Sequence, residues 1–282
     1  MFYGNDRFAL TVFQALVKEL RDNESGCVSD LEVPADSEMG VVVSFGHFLP
    51  HRLLKQFPLG CINVHPSLLP RFRGAAPIQH TILQGDPETG VTVQEVSPKA
   101  FDAGRILSQA RMPVLPNVNY LALEEALAKE ASDLLIRTLR DYDHVREKAR
   151  EQSEAGVLAP KVTKEMSEAR WGEQTALDIT RAHRALGYRT PIFSTFRGLR
   201  IQLLDMDMDE GQNQTPYTPG TVYWDSDKMD RVKIQCAQGT SIQVRKVRLE
   251  GKKDVQVRQW VQGYKMVSGR DMLALVSSNH TV

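Results

Sequence analysis

Cysteine is scarce in this chain, and its placement excludes two ways of holding a small protein together. The three cysteines, Cys27, Cys61 and Cys236, are odd in number and widely spaced. They provide neither a disulfide framework nor the paired ligands of a zinc module, a pattern typical of reducing compartments. Apolar runs of membrane-spanning length are also missing. The opening residues, MFYGNDRFAL, resemble neither a signal peptide nor an Arg- and Ser-rich transit peptide.

Net charge is missing too, because 35 basic residues balance 35 acidic ones. The total charge therefore indicates no partner, but its distribution does. Residues 231–270 contain ten Lys and Arg and only two acidic residues, Glu250 and Asp254. A basic segment of this kind favours a phosphate-rich partner such as RNA. A hydrophobic content of 41% with 25% charged residues indicates a globular protein with a substantial core.

Strand-like and helix-like patterns alternate through the first half of the chain. Short apolar runs and helical periodicity predict strands at 39–46, 60–64, 90–96 and 105–114, and helices at 51–57, 76–84 and 119–142. Strands separated by helices are typical of an α/β, Rossmann-like fold with a mostly parallel sheet and helices on both faces. The sequence thus predicts a first domain at 1–142, with ligands bound beyond the carboxyl ends of its strands.

The second half has a different pattern. Residues 143–170 are charged and interrupted by Ala-Gly and Ala-Pro, which predicts a linker. After one predicted helix at 175–186, short strand-like runs alternate with turn-forming segments. Such an arrangement predicts a small OB-like antiparallel β-barrel domain at 171–282.

An amide and an imidazole lie two residues apart where the second predicted strand ends. Side chains at i and i+2 of a strand point to the same side, so Asn63 and His65 are expected to face one point. Their N–H groups suit a developing oxyanion, and the imidazole can also move a proton. Asp102, in AFDAGRIL, is a candidate to orient His65. Taken alone, each residue also fits a structural role, since Asp-Ala-Gly is typical of a turn.

The stretch NVHPSLLPRFRGAAPIQHTILQGDPETGVTVQEVSPKAFDAGRIL resembles the catalytic core of the folate-dependent formyltransferases nearly throughout. The later segments LAPKV, RALGY, PGTV and GKK resemble the family's linker and C-terminal barrel. The resemblance implies that Asn63, His65 and Asp102 form the catalytic trio. It also implies 10-formyltetrahydrofolate as the formyl donor, with these residues lining its site: Ser44, Phe45, Gly46, Ser67, Leu68, Leu69 and Pro70.

The resemblance further implies an RNA partner, methionyl initiator tRNA, whose amino group would accept the formyl group. The basic C-terminal segment supplies the candidate RNA contacts, which are Arg245, Lys246, Arg248, Lys252, Lys253 and Arg258. Trp260 and Tyr264 could stack on bases, but we expect them in the core. Arg71 and Arg73 either face phosphate or tie their loop down, and we favour the structural role.

Other expectations concern metal, assembly and compartment. His47 and His51 are spaced like a helical metal pair, but Pro50 lies between them and no carboxylate accompanies them, so no metal site is predicted. A monomer without membrane contact is expected. The segments PKAFDAG and NVHPS resemble those of organellar members of the family, and this resemblance predicts a location in the mitochondrial matrix.

Two departures from the family pattern leave the acceptor open. Only three residues precede Gly4, so the first strand is expected to be short. Only about ten residues, NESGCVSDLE, separate the first predicted helix from the segment leading to VVVSFG. A family strand-and-helix unit, with a basic Gly-rich loop for the tRNA acceptor end, is therefore expected to be absent. The alternatives are transfer to another amine or to water, or an inactive form that only binds folate or RNA.

Overall fold

Five strands form the sheet of the first unit in the computed structural model. They are β1 (Phe2–Tyr3), β2 (Gly40–Val43), β3 (Cys61–His65), β4 (Glu88–Glu95) and β5 (Ile106–Pro113), paired in that order. The residues described are 1–4, 6–20, 37–45, 49–153, 156–211, 217–224 and 230–273. Contacts divide the chain into two compact units, Met1–Val162 and Thr163–Val282. β1 has two residues, the short first strand that the sequence predicts.

Five helices belong to the described part of the first unit. They are α1 (Arg7–Leu20), α2 (His51–Leu54), α3 (Pro77–Gln84), α4 (Tyr120–Arg140) and α5 (Tyr142–Glu147). Asp6 caps α1, since the backbone N–H of Ala9 donates to its Oδ1 over 2.8 Å. α1 buries Phe8, Val12 and Leu16 at four-residue intervals, which places them on one face, and the helix packs against α4. The strands and helices predicted for residues 39–142 are all present.

The sheet is mixed, so the prediction of a mostly parallel sheet was wrong. β2 pairs in parallel with β1 and β3, but β4 pairs antiparallel with β3 and β5. A helix between two strands yields parallel pairing only if it returns the chain to the starting end of the first strand. α3 has eight residues and spans about 12 Å. It also follows a long loop, so the chain re-enters the sheet at the end where β3 left it.

The predicted linker folds with the first unit up to Val162. Arg150 and Ile106 exchange backbone hydrogen bonds of 2.8 and 3.0 Å, which extends the pairing of β5. The N–H of Ala159 donates to the carbonyl of Arg73 over 2.7 Å. We call the described part of residues 150–160 the connecting segment. Its hydrogen bonds attach it to the same unit as β3, β4 and β5.

The second unit contains a six-stranded sheet in which every pairing is antiparallel, as the sequence predicts. The strand order is β6-β7-β10-β9-β8, and β11 pairs with β10. No described strand pairing joins β6 to β8, so an OB-like barrel stays a prediction. The elements are β6 (Ile192–Phe196), β7 (Leu199–Met208), β8 (Val222–Tyr223), β9 (Val232–Gln235), β10 (Ser241–Leu249) and β11 (Asp254–Gln256), with helices α6 (Ala176–Leu186) and α7 (Val257–Gly263).

Aromatic packing anchors α7 on this sheet. Trp260 is 1% exposed and meets the ring of Phe196 edge-on at 5.0 Å between centroids. Tyr264 meets Phe196 at 5.4 Å in the same geometry. Edge-to-face contacts of this kind add stability beyond their buried area. The expectation that Trp260 belongs to the core is confirmed. Within the described residues, no helix is both long and apolar enough to cross a membrane.

Candidate active site

Asn63 and Gln94 lie directly opposite each other on β3 and β4, so their side chains share one face of the sheet. Both amides donate to Oδ1 of Asp102, Asn63 over 3.1 Å and Gln94 over 3.2 Å. Oδ2 of Asp102 accepts from the backbone N–H of Gly74 over 3.0 Å. Donors from three parts of the chain therefore hold one carboxylate. The structure brings Asn63 and Asp102 together, as the sequence predicts.

The turn that carries Asp102 has an uncommon backbone. Asp102 has a φ of 51°, in the left-handed region that Asp and Asn tolerate better than most residues. Two residues later, a Cβ on Gly104 would lie 1.7 Å from the carbonyl oxygen of Glu95 on β4. Asp-Ala-Gly therefore forms a turn and also supplies a residue of the candidate active site. The turn geometry is what brings the carboxylate over the sheet.

His65 is buried, 5% exposed, and both of its ring nitrogens face acceptors. Nδ1 lies 3.4 Å from Oδ1 of Asp102, and Nε2 lies 2.9 Å from the carbonyl oxygen of Phe72. A carbonyl oxygen only accepts, so Nε2 carries a hydrogen in this arrangement. The sequence predicts that His65 donates directly to a formyl oxygen. In the structure the Nε2–H of His65 donates to the carbonyl oxygen of Phe72 instead. The side chain of Asn63 lines the cleft and has two N–H groups, of which only one is bound to Asp102.

An open cleft of about 480 Å³, mouth included, lies over this cluster. Its walls are mostly apolar and its polar lining includes Asn63, Gln94 and Asp102. Apolar walls with a few convergent polar groups are typical of sites for small organic ligands. Among the residues described, no three His, Cys, Asp or Glu side chains are grouped to hold a metal ion. The apolar lining residues are Val42, Phe45, Leu49, Val96, Ala100 and Phe101.

The residues predicted to line the folate site lie in two places. Phe45 lines the cleft, with Ser44 preceding it at a φ of 48°, and Gly46 lies outside the described residues. Residues 67–70 do not line it. Their backbone is instead bound to the hydroxyl of Thr92 on β4. This hydroxyl donates to the carbonyl of Ser67 over 2.7 Å and accepts from the N–H of Leu69 over 3.1 Å. Leu68 and Pro70 are half-buried in the same loop.

Two arginines fix this loop on the unit. Arg71 binds Asp86 through two hydrogen bonds, of 2.5 and 2.7 Å, a geometry that raises the pKa of the guanidinium. Arg73 donates to the side chain of Gln152 over 2.9 and 2.7 Å. Both contacts agree with the structural role favoured from the sequence. They also leave Asp86 and Gln152 with fixed orientations.

The predicted RNA contacts differ in how far the protein itself neutralises them. Arg245 pairs with Asp205 and Asp207 at 2.9 and 2.6 Å. Arg248 and Lys246 both pair with Asp254, and they lower the pKa of that carboxyl to about 2.

The remaining candidates keep their charge available. Lys252 is exposed and donates to the hydroxyl of Tyr264 over 3.0 Å, a neutral partner. Lys253 and Arg258 are exposed, and no carboxylate among the described residues pairs with either. Of the six residues predicted to meet RNA, these three are the ones whose charge can reach a phosphate without breaking an ion pair.

Sequence reasoning missed two glutamines of the site. Gln94 is 1% exposed and lies in a strand buried on both faces. A polar residue inside an apolar run must find a hydrogen-bond partner when buried, so its presence in GVTVQEV could have indicated a site residue. Gln152 lies in the connecting segment, where charge and turn residues predict a linker. No periodicity there indicates a contact, because the segment pairs with a distant loop, at Arg73, and with a distant strand, at Ile106, through isolated bridges.

Two patterns of known protein families match the chain. The pattern described as "Formyl transferase" matches residues 12–139, and "Formyl transferase, C-terminal domain" matches residues 161–265. Solved structures share the fold at low identity. HypX from Aquifex aeolicus, in complex with tetrahydrofolic acid, has a TM-score of 0.65 at 18% identity, covering 93% of this chain and 47% of HypX. WlaRD, described as a sugar 3N-formyl transferase, has a TM-score of 0.62 at 14% identity, covering 89% of this chain and 97% of WlaRD.

Curated relatives are more similar in sequence. The mitochondrial methionyl-tRNA formyltransferase of Bos taurus is 33% identical over 303 residues, 94% of this chain and 77% of the relative. The Homo sapiens mitochondrial protein is 35% identical over 73% of this chain, which spans 61% of the human sequence. The methionyl-tRNA formyltransferase of Syntrophus aciditrophicus is 34% identical over 81% of this chain and 72% of its own length. The chain therefore belongs to the formyltransferase family, among the methionyl-tRNA formyltransferases.

Proposed function

We propose that this chain transfers the formyl group of 10-formyltetrahydrofolate to the amino group of methionyl initiator tRNA, the step that prepares this tRNA for translation initiation. The observation that carries the proposal is the Asn63–Asp102 hydrogen bond of 3.1 Å in the lining of a cleft with apolar walls. The curated relatives carry this activity in their names. HypX, which shares the fold, was crystallised in complex with tetrahydrofolic acid, and this supports a folate as the ligand of the cleft.

The cleft suits a flat aromatic ligand that ends in a reactive polar group. Phe45, Val96 and Phe101 offer apolar surface to a fused ring, and Asn63 and Asp102 lie where polar atoms would be recognised. When bound, the folate supplies the formyl group on N10, whose carbon the amine attacks. The bond from that carbon to N10 breaks as the new amide bond forms, and a proton passes from the amine to N10.

The residues of the cluster can support each of these changes. Asn63 has two N–H groups, of which one donates to Asp102, so the second can donate to the formyl oxygen as it becomes negative. Asp102 lines the cleft beside Asn63, and its carboxylate suits removal of the proton from the attacking nitrogen. Because Nε2 of His65 carries a hydrogen, its Nδ1, 3.4 Å from Oδ1 of Asp102, can take a share of the proton that the carboxylate receives.

The second unit is proposed to hold the tRNA. Lys252 and Lys253 follow β10, and Arg258 lies in the first turns of α7. Such cations attract an RNA backbone without sequence specificity. The alignment to the bovine relative runs over 303 residues, more than the 282 of this chain, so it contains relative residues without a counterpart here. Such unmatched residues are compatible with the expected absence of the acceptor-binding unit, whose position falls in residues 21–36, outside those described.

Compartment and assembly belong to the same proposal. The mitochondrial names of the bovine, human and Rattus norvegicus relatives support the mitochondrial matrix. A monomer suffices for the chemistry, because Asn63, His65 and Asp102 all come from one chain.

The test is formyl transfer from 10-formyltetrahydrofolate to methionyl initiator tRNA, beside a methionine ester and an amino sugar as alternative acceptors. We expect formylmethionyl-tRNA. Transfer to the amino sugar alone, or release of formate, would replace the proposal with another acceptor. A thermal-shift series distinguishes an active enzyme from an inactive RNA-binding form. If RNA raised Tm and a folate analogue did not, the cleft would not bind folate and the proposal would be contradicted.

A further inference from the structure

Gln152, in the connecting segment, makes more side-chain hydrogen bonds than a surface linker residue requires. Its Nε2 lies 2.9 Å from Oε1 of Gln94, 3.0 Å from the carbonyl oxygen of Asp102 and 2.8 Å from that of Gly104. Its Oε1 accepts from Nε and Nη2 of Arg73 over 2.9 and 2.7 Å. The amide therefore joins the Asp102 turn, β4 and the loop after β3.

These bonds fix which way each amide points. Arg73 only donates, so its two bonds require Oε1 of Gln152 on that side and Nε2 on the other. Nε2 of Gln152 then requires an oxygen from Gln94, which turns Nε2 of Gln94 toward Asp102. The donor direction runs from Arg73 through Gln152 and Gln94 to the carboxylate. Reversal of any one amide would place two donors or two acceptors face to face.

The same amide also holds the backbone of the Asp102 turn. Asp102 adopts a φ of 51°, which a non-glycine residue keeps only when its surroundings enforce it. Gln152 binds the carbonyls on both sides of this turn, at residues 102 and 104. A shift of the turn would carry the carboxylate away from Asn63, to which it is joined at 3.1 Å. Misplacement of a catalytic group by about 1 Å can cost on the order of a hundredfold in rate.

We propose that Gln152 is a positioning residue for formyl transfer, acting on Asp102 through Gln94 and through the carbonyls of the turn. The inference rests on the proposed function above and adds a residue that contacts two residues of the cleft lining, Gln94 and Asp102, but does not itself line the cleft. Its position in the connecting segment makes that segment part of the catalytic apparatus.

Two substitutions in this chain test this role. Gln152→Met keeps the length and volume of the side chain and removes every hydrogen bond. Gln152→Glu keeps an acceptor for Arg73 and replaces the donor with an oxygen that faces the carbonyls of Asp102 and Gly104. We expect kcat for formyl transfer to fall about ten- to a hundredfold in both variants, with KM for 10-formyltetrahydrofolate changed less than about threefold, since Gln152 does not line the cleft.

A matched control separates positioning from loss of stability. Gln235 in the second unit is 1% exposed, whereas Gln152 is half-buried, and the side chain of Gln235 likewise donates to a backbone carbonyl, that of Thr240, over 2.9 Å. We expect Gln235→Met to lower Tm by a similar amount and to leave kcat unchanged at saturating substrates. Equal kcat losses in the two variants would overturn the proposal, because the loss would then follow stability.

A double-variant cycle tests whether Gln152 acts through Gln94. If it does, Gln94→Met and Gln152→Met together should reduce kcat by little more than the more severe single change. Multiplicative effects would mean that the two residues act independently, which contradicts the relay. Wild-type protein without transfer to methionyl-tRNA would overturn the proposed function and this inference together. Active wild type with an unaffected Gln152→Met overturns the inference alone.

Discussion

The amide of Asn63 donates to Oδ1 of Asp102 over 3.1 Å, although the two residues lie 39 positions apart in the chain. Asn63 comes from a parallel-paired strand, and Asp102 comes from a turn after an antiparallel one. The mixed sheet makes the contact possible, because the reversal at β4 returns the chain to Asn63 and places Gln94 beside it. The sheet direction that the sequence did not predict is therefore a condition for the site.

Asp102→Asn should keep the fold and remove most formyl transfer. The substitution preserves shape, but it puts an N–H₂ group among three donors and removes the charge that accepts a proton. Loss of general base catalysis of this kind costs about a hundredfold or more. Single-turnover transfer to methionyl-tRNA measures the effect, with the exposed Asp133→Asn on α4 as the control. A near-normal rate would remove Asp102 from the mechanism.

Gly74→Ala should destabilise the first unit more than Gly60→Ala does. Both glycines have positive φ, 122° and 79°, so both substitutions carry backbone strain of about 1–2 kcal/mol. At Gly60 nothing lies within 4 Å of the added Cβ, whereas at Gly74 the carbonyl oxygen of Ala159 lies 2.6 Å away. The clash should add about 1–3 kcal/mol to the loss in the free energy of unfolding.

Urea unfolding of the two glycine variants measures the difference. Gly74→Ala should also slow formyl transfer, because the backbone N–H of Gly74 donates to Asp102. Equal losses of unfolding free energy would show that the connecting segment yields to the added methyl group.

Much of this architecture could be predicted from the sequence, and the exceptions have physical causes. Apolar periodicity is a local property, so it located the strands and helices around Asn63 correctly. Strand direction is not local, since it depends on the path between strands, and the prediction of a mostly parallel sheet therefore failed at β4 and β5. The sequence offered Asn63, His65 and Asp102 as candidates, but only the family resemblance made them a catalytic trio, since a strand-end Asn-x-His and a turn Asp carry no pattern that joins them.

Contacts between residues far apart in the chain were the other feature that could not be predicted from the sequence. The sequence shows that Asp254 is one of only two acidic residues among ten basic ones in 231–270. It does not show that β11 turns back on β10 and places Asp254 opposite Arg248. That register neutralises two of the predicted RNA contacts. The role of Gln152 was hidden for the same reason, because its partners are 48 or more residues away.

Cys61 and Cys236 should not react with a thiol reagent in the native protein. Burial raises the pKa of Cys61 to about 11 and that of Cys236 to about 12. At pH 8 roughly one Cys61 in a thousand is then a thiolate, the reactive form, and Cys236 even less often. In a Cys27→Ser variant, an aromatic disulfide reagent should release no chromophore over minutes. The same sample in denaturant, its own control, should titrate both thiols, and rapid native reaction would contradict the burial of these side chains.

Charge reversal at Lys252 and Lys253, to Glu at both, should weaken binding of methionyl initiator tRNA and flatten its salt dependence. Neither lysine has a carboxylate partner among the described residues, so the variant breaks no ion pair and should keep its Tm. Each lost phosphate contact removes about 0.7 to 0.9 from the slope of log K against log salt concentration. The reversal should therefore reduce the slope by roughly one to two.

Reversal of Lys129 and Lys148 is the matched control, because both are exposed in the first unit and the change in net charge is the same. A general electrostatic effect would lower affinity equally in the two variants, whereas a docking surface at the β10–β11 turn lowers it chiefly in the first. Filter binding across roughly 50 to 200 mM salt distinguishes these outcomes. An unchanged slope in the Lys252 and Lys253 variant would place the RNA on another surface. The excess of basic residues in 231–270 would then be explained by ion pairs between β10 and its neighbouring strands. Arg245, Lys246 and Arg248 already make such pairs, with Asp205 on β7 and Asp254 on β11.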